Sequence, residues 1–269
     1  MEKRDQKKII IGLVYAAIFL LILIPVIFKL IPNDSCSDGK QNQDESGTDC
    51  GGVCPNKCEI KLASGLVFKD TGITETGVAN KYDIYSEIQN PNEDYGSSSF
   101  DYTFNLKDEN GNILTKRDGR GFIFPKENKY LVEVGIDLNV YPAKVELEIK
   151  NIVWKDFSGV EKPPLVIVNK NFYEVDQSLG TSNAIGLLRN ESSFDFNEIK
   201  ILVVVKNNYG KIVALNSTKI NTVQSGESRE FKVLWPNKIY QVGDMEIQAE
   251  TNIFKSDAFV KRYFPAQSF

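Results

Sequence analysis

The sequence predicts a mainly β protein, with an N-terminal transmembrane helix, a small Cys-rich segment and two tandem β-sandwiches. Three observations predict it. A strand–loop–strand–turn pattern occurs twice, with Asn90 and Asn190 at equivalent points. All four cysteines fall between Cys36 and Cys58. An unbroken apolar run occupies Ile9 to Phe28.

Composition narrows the function classes. A chain of 269 residues suits one large or two small domains. Its net charge is −4, and no basic surface stands out in the folded part, so nucleic acid is not an expected partner. Histidine is absent. That removes the commonest general base, the Ser-His-Asp and Cys-His arrangements and most catalytic zinc sites. Asp and Glu are plentiful, so carboxylate-pair chemistry remains open. No set of residues converges in the sequence on a catalytic role, and no catalytic residue or cofactor is expected.

The N-terminal segment, 1–8, carries Lys3, Arg4, Lys7 and Lys8 against Glu2 and Asp5. Segment 9–31 is read as an uncleaved anchor. As a helix, Ile9 to Phe28 would be about 30 Å long, the thickness of a bilayer core. It has no polar face, unlike a buried helix at a domain surface. Ile31-Pro32-Asn33-Asp34-Ser35 offers no convincing signal-peptidase site. Basic residues precede the span, so the N-terminus is expected in the cytoplasm and all that follows outside. The bilayer is thus one expected partner, and the location is the cell membrane, crossed once.

Segment 32–59 contains almost nothing apolar and can hold a shape only through cross-links or a bound ion. An external location favours two disulfides among Cys36, Cys50, Cys54 and Cys58 over zinc, but three pairings are open. Asp38, Asn42, Asp44, Glu45 and Asp49 are hard oxygen ligands that permit a calcium site. Their spacing does not match an EF-hand loop, and a solvated acidic loop is the plainer reading.

This segment resembles a small Cys-rich module of predicted surface proteins, C-x-D/N-G-x-x-N-x-x-E-x-G/D-x-D-C-G-G-x-C-x-x-C. Cys36, Asp38, Gly39, Asn42, Glu45, Gly47, Asp49, Cys50, Gly51, Gly52 and Cys54 match it. The last spacing departs, with three residues between Cys54 and Cys58. The resemblance implies an extracellular spacer or stalk.

From residue 60 the reading is all-β. Phe100, Tyr102, Phe104 and Leu106 alternate with Asp101, Thr103, Asn105 and Lys107, which puts the aromatics on one face. Asn110-Gly111 predicts a type I′ hairpin turn. Phe122 to Phe124, Tyr130 to Val134 and Val145 to Ile149 are further strands. Asp118-Gly119-Arg120-Gly121 lacks the strand–helix context of a phosphate cradle, and a hairpin loop accounts for it.

The first sandwich is assigned to 60–160 and the second to 161–269, opened by Pro163-Pro164. Phe124-Pro125-Lys126-Glu127 aligns with Gln224-Ser225-Gly226-Glu227. Tyr130 and Val132 align with Glu230 and Lys232 at strict offset, or with Phe231 and Val233 after a one-residue shift. Val145, Leu147, Ile149 and Trp154 align with Met245, Ile247, Ala249 and Phe254. Two such units suggest immunoglobulin-like or fibronectin-like sandwiches. Ile199 to Val205 is apolar except for Lys200, and reads as a strand buried on both faces. Trp154 and Trp235 are expected to pack in the core or at strand ends. No helix of useful length is expected after the anchor.

Ile84 to Asn92 with the Phe100–Leu106 strand resembles the late-embryogenesis-abundant/water-stress-hypersensitive (WHy) type of sandwich. Leu187 to Phe231, with Gly210-Lys211-Ile212-Val213, is similar to the FxLYD-type bacterial domain, and Phe172-Tyr173 stands nearest to that signature. Both resemblances imply a sandwich without established catalytic residues. Asn90 and Asn190 are expected to satisfy loop backbone at strand ends. Asn33, Asn190 and Asn216 each begin a glycosylation sequon.

The expected function is non-enzymatic: an anchored extracytoplasmic protein engaged in protein–protein interaction, adhesion or envelope scaffolding, with a protein partner in the envelope. The alternative is a ligand-binding or sensory ectodomain for calcium or a glycan.

Overall fold

A computed structural model describes residues 11–15, 19–21, 23–24, 36–42, 44–45, 47–56, 58, 64–175 and 181–264. The chain divides into two compact units, Met1–Glu59 and Ile60–Phe269. In the first unit, residues 11–15, 19–21 and 23–24 are helical. The rest of the anchor segment 9–31, and all of 1–8, lie outside the described residues. No helix among the described residues is long and apolar enough to cross a membrane.

The second unit holds twelve described strands: β1 (Val67–Glu75), β2 (Lys81–Gln89), β3 (Tyr95–Lys107), β4 (Ile113–Ile123), β5 (Asn128–Asp137), β6 (Lys144–Asp156), β7 (Leu165–Val175), β8 (Thr181–Asn190), β9 (Phe196–Asn207), β10 (Ile212–Val223), β11 (Ser228–Trp235) and β12 (Val242–Glu250). They form four antiparallel three-stranded sheets, β1-β2-β5, β4-β3-β6, β11-β8-β7 and β10-β9-β12. The second six strands repeat the pairing of the first six, strand for strand.

Each copy is a sandwich. In the first, Ile84, Ile88, Leu131 and Ile136 of one sheet meet Phe100, Phe104, Leu106 and Ile123 of the other. The period-two pattern of β3 therefore does what alternation predicts. In the second, Ala184, Leu188, Phe231 and Val233 meet Ile199, Ile201, Val203 and Val205.

Register decides the open alignment of β5 with β11. Asn128 pairs with Gln89 and Ser228 with Arg189. Leu131 opposes Ser86 and Phe231 opposes Gly186. The strict offset is therefore the structural one, and Tyr130 and Val132 correspond to Glu230 and Lys232. In β6 and β12, Leu147 opposes Phe104 and Ile247 opposes Val203, which sustains the aligned faces there.

The sandwiches also pack on each other. Tyr85, Tyr130 and Val132 on the outer face of β2 and β5 meet Leu202, Val204, Ile212 and Leu215 on the outer face of β9 and β10. So β9 is central in its sheet and covered on both faces, as its composition predicts. Tyr130 and Val132 are apolar because they enter this seam, whereas Glu230 and Lys232 face solvent.

Three expectations are corrected. The turn at Asn110-Gly111 is not type I′, because Gly111 has φ +83° but Asn110 is not among the residues with positive φ. Gly111 N donates to Asp108 O, and Asp108 Oδ1 accepts from Asn110 N and Asn112 N. The aspartate side chain selects an aspartate-capped turn with three residues between the paired Asp108 and Asn112, and one left-handed glycine. Asn207 and Gly210 repeat the arrangement in the second copy.

The Asp118–Gly121 stretch is not a loop but the interior of β4. A Cβ at Gly121 would come 2.4 Å from the Phe100 ring, and one at Gly119 would come 2.2 Å from the Tyr102 ring. The glycines are there so that the rings of β3 can lie across β4. The third correction is a seven-residue helix, α1 (Asp257–Tyr263), preceded by a 3-10 turn at Ile253–Lys255. Ser256 caps it through its side chain. Phe259 is fully buried, and Phe194 stacks on it at 4.9 Å.

Trp235 is buried and donates Nε1–H to Leu215 O. Trp154 is half-buried at the end of β6.

Candidate functional site

The repeated asparagines, both buried, are engaged at both ends of their side chains. Asn90 Nδ2 donates to Tyr95 O at 2.7 Å and Phe124 O at 2.9 Å. Its Oδ1 accepts from Asn92 N and Asn92 Nδ2. Asn190 Nδ2 donates to Phe194 O and Gln224 O, and its Oδ1 accepts from Ser192 N and Ser192 Oγ. The backbone N–H of each donates, at 2.9 Å, to the carbonyl of Glu127 or Glu227. The side chains of those glutamates accept from Phe124 N and Gln224 N. Asparagine is required because one side chain must both donate and accept. These corners hold loops rather than ligands, and the buried amide of Asn190 leaves its sequon inaccessible in the folded chain. Asn33 lies outside the described residues. Asn216 donates Nδ2–H to Leu234 O.

In the Cys-rich unit the structure chooses one of the three pairings, Cys36–Cys54 and Cys50–Cys58. The calcium candidates are largely engaged with backbone. Asp49 accepts from Asp38 N and Gly39 N. Asp38 accepts from Lys40 N and Asn42 Nδ2. Glu45 is buried and accepts from Asn42 N. Asp44 is exposed. Three groups do converge, the sulfurs of Cys36 and Cys54 with a Glu45 oxygen, all within 4.8 Å of one another. Both sulfurs belong to the disulfide, so neither is a thiolate ligand. Non-reducing peptide mapping is expected to recover Cys36 joined to Cys54 and Cys50 joined to Cys58. A Cys36–Cys50 peptide would refute this arrangement.

The seam carries the main charged cluster of the described residues. Lys129 is 3 % exposed and lies 2.5 Å from Glu250 Oε2. Its Nζ also donates to Phe122 O and sits 3.6 Å from the centre of the Phe122 ring. Burial pushes the Glu250 carboxyl up, but Lys129, Lys200 and Lys162 outweigh it and hold it below the usual range. Nearby, Tyr130 Oη lies 3.3 Å from Glu87 Oε2 and 3.5 Å from Glu246 Oε2, so its one proton has two carboxylate acceptors within reach, and Lys206 pairs with Glu246 at 2.9 Å. Burial, before the two carboxylates, pushes the Tyr130 hydroxyl up to about 12. Tyr130 N donates to Gln248 Oε1, so backbone and side chain both cross between copies. Glu87 and Glu246 both approach the Tyr130 hydroxyl, and each faces a lysine, Lys69 at 4.0 Å and Lys206. That geometry suits a polar staple.

Among the described residues, Asp83 is the one carboxylate raised well above its range, to about 6, by burial, against a lowering hydrogen bond from Gly135 N. Gly135, at φ +67°, sits in a bulge of β5 that turns its N–H onto Asp83 Oδ1 at 2.7 Å. The second copy has neutral Asn183 here. Because the folded chain holds the Asp83 proton more tightly than the unfolded one, stability falls as pH rises from about 4 to 6. Asp83→Asn is expected to stabilise the chain by about 1–2 kcal/mol above pH 7 and to be neutral below pH 4. Thermal unfolding across pH checks this. An equal effect at both ends of the range would contradict it.

A polar cleft of about 440 Å³ lies at one end of the second sandwich, lined among others by Asp195, Asn197, Glu198, Asn221, Asn252 and Asp257. Glu198 pairs with Lys219, and Asp195 accepts from Ser225 N. Asn252 caps the 3-10 turn. The cleft gathers acids and amides, three of which have structural duties.

No family model matches the chain, and no curated protein matches it. The WHy-type and FxLYD-type resemblances therefore stand on their motif residues alone. Among solved structures, a Bacteroides uniformis beta-glucuronidase aligns with 60 % of the chain at 12 % identity and a TM-score of 0.23. Red sea bream transglutaminase aligns with 70 % at 11 % identity and a TM-score of 0.23. The tandem CBM22-1–CBM22-2 domain of Paenibacillus barcinonensis Xyn10C aligns with 71 % at 8 % identity and a TM-score of 0.16. The alignments span 22 %, 29 % and 86 % of those chains. Likeness at this level carries no argument about fold or activity.

Proposed function

We propose that the chain is a non-enzymatic, single-pass envelope protein whose fused pair of immunoglobulin-like sandwiches, outside the membrane, engages a protein partner as a scaffold or adhesion unit. The observation that carries this reading is the seam. Buried Tyr85, Tyr130, Val132, Leu202 and Val204, with the Lys129–Glu250 pair, bind two copies into one block. Each fully buried side chain of this size contributes about 1.5–3 kcal/mol. A linked pair of domains otherwise moves by default. A stiff block suits holding a partner at a set distance.

Anchorage is supported by the apolar run and by exposed side chains within it. Leu13, Phe19 and Leu21 are 64 %, 63 % and 74 % exposed, which suits lipid contact rather than water.

Membrane fractions of the expressing cell, treated with alkali and then with external protease, test the topology. The chain is expected to resist alkaline extraction and to lose its C-terminal part to protease. Release by alkali would overturn the anchor. Cross-linking in intact cells tests the role, and the absence of any reproducible protein adduct would overturn it.

A further inference from the structure

A groove of about 400 Å³ opens where the end of β1, the β9–β10 hairpin and the segment between β11 and β12 come together. Two tyrosines on its lining face solvent, Tyr141 at 54 % exposure and Tyr240 at 69 %. Thr74, Glu75, Lys211 and Asn237 line it with them. Thr74 Oγ1 and Asn237 Oδ1 are buried and have no hydrogen-bond partner, and Thr74 is only 6 % exposed. Unpartnered buried polar atoms are rare and cost about 1–3 kcal/mol each, so two beside one groove call for a reason. The fold does not supply one.

The groove is held in shape before any ligand arrives. Gly77 packs so closely that a Cβ there would come 2.2 Å from Asn237 Cγ. Ile239 N donates to the buried Ser182 Oγ at 2.9 Å. Lys238 pairs with Glu174 and lies 5.5 Å from the centre of the Tyr240 ring. The Tyr141 ring stands against Tyr82 at 5.4 Å, edge to face. Exposed aromatics held this way lose little side-chain freedom on binding.

We propose that this groove binds a short neutral carbohydrate, one or two sugar rings of an oligosaccharide. A sugar ring offers an apolar C–H face and a rim of hydroxyls. The tyrosine rings match the face, and the amide, ammonium and carboxylate of Asn237, Lys211 and Glu75 match the rim. The volume falls within the range of about 300–1,000 Å³ usual for small-ligand sites. Local charge is close to balanced, with Lys211 and Lys238 against Glu75 and Glu174, which favours an uncharged polyol over a phosphate or a uronic acid. The site goes beyond the scaffold role and does not depend on a protein partner.

The full chain, purified in detergent, is applied to an array of immobilised neutral and uronic-acid oligosaccharides, and a retained neutral sugar is then titrated by calorimetry. Retention of a neutral glycan is expected. Tyr141→Ala and Tyr240→Ala should each weaken binding about tenfold or more, while Tyr209→Ala, 90 % exposed and outside the groove, should not. Hydroxyl-radical footprinting of the unsubstituted chain should show the sugar protecting Tyr141 and Tyr240 but not Tyr209, a readout free of any folding defect in the variants. No retained neutral glycan would overturn the proposal. So would binding that leaves both tyrosines unprotected, or binding that the Tyr209 change weakens equally.

Discussion

Asn190→Ala is expected to destabilise the chain by about 3–5 kcal/mol in urea unfolding, a larger effect than any exposed substitution in the second copy. The mutation removes one side chain and strands several backbone groups. Phe194 O, Gln224 O and Ser192 N each lose a partner in a buried corner. Asn190→Asp should fare no better, since a carboxylate would face those two carbonyls without a proton to donate. Asn90→Ala should behave alike, because the same four roles recur there. Asn216→Ala, which loses the donation to Leu234 O and the acceptance from the adjacent Ser217 N at a more exposed position, should cost about 1 kcal/mol. If Asn190→Ala proved as mild as Asn216→Ala, the corner would not be a structural lock.

Lys129→Met should cost about 3 kcal/mol at neutral pH, because it leaves the Glu250 carboxylate at the seam without its main partner. Lys200, 4.0 Å from Glu250, keeps the loss from being larger. The double change Lys129→Met with Glu250→Leu should recover most of it, as apolar replacements of buried pairs often do. The sign with pH follows from the depressed Glu250 carboxyl. Its contribution is present above the unfolded carboxylate range and is lost as pH falls through the folded value. The penalty of Lys129→Met should therefore shrink in acid. A double-mutant cycle by urea unfolding at neutral and acid pH measures both points. A penalty that does not change with pH would show that Lys129 acts by packing on Phe122 and not by charge.

Much of this architecture was legible locally. Strict alternation from Phe100 to Leu106 put one face of β3 inward, since a strand exposes its side chains with a period of two. The double burial of Ile199 to Val205 was also legible, because a strand covered on both faces has no reason to alternate. The pair Asn90 and Asn190 was recognisable because each corner needs the same chemistry at the same place. The candidate groove was not legible. Tyr141 and Tyr240 are distant in sequence, belong to different copies and carry no motif. The only signal at hand was that each sits in a short connection between strands.

Other features escaped local reading for nameable reasons. Gly119 and Gly121 look like turn residues, but they are strand glycines shaped by rings on β3, and only the β3–β4 register shows that. Asn110-Gly111 has the composition of one turn and the geometry of another, because Asp108 reaches ahead to cap it. Helix α1 is too short to announce itself by periodicity, and its one strong signal is the Ser256 cap.

The sequence by itself determined several strands, β2, β3, β5, β6 and β9 among them, with the inward face of β3, the duplication and the confinement of cysteine to one small module. These follow from period, turn chemistry and composition, which act over a few residues. Tertiary structure alone decided the disulfide pairing, the alignment of β5 with its counterpart β11 and the fate of the outer faces. Tyr130 and Val132 are apolar where Glu230 and Lys232 are charged, although the strands are equivalent. The difference is that another sheet lies against one and water against the other. What covers an outer face is settled by contacts far apart in the chain, and the seam that fuses the two copies is made of them.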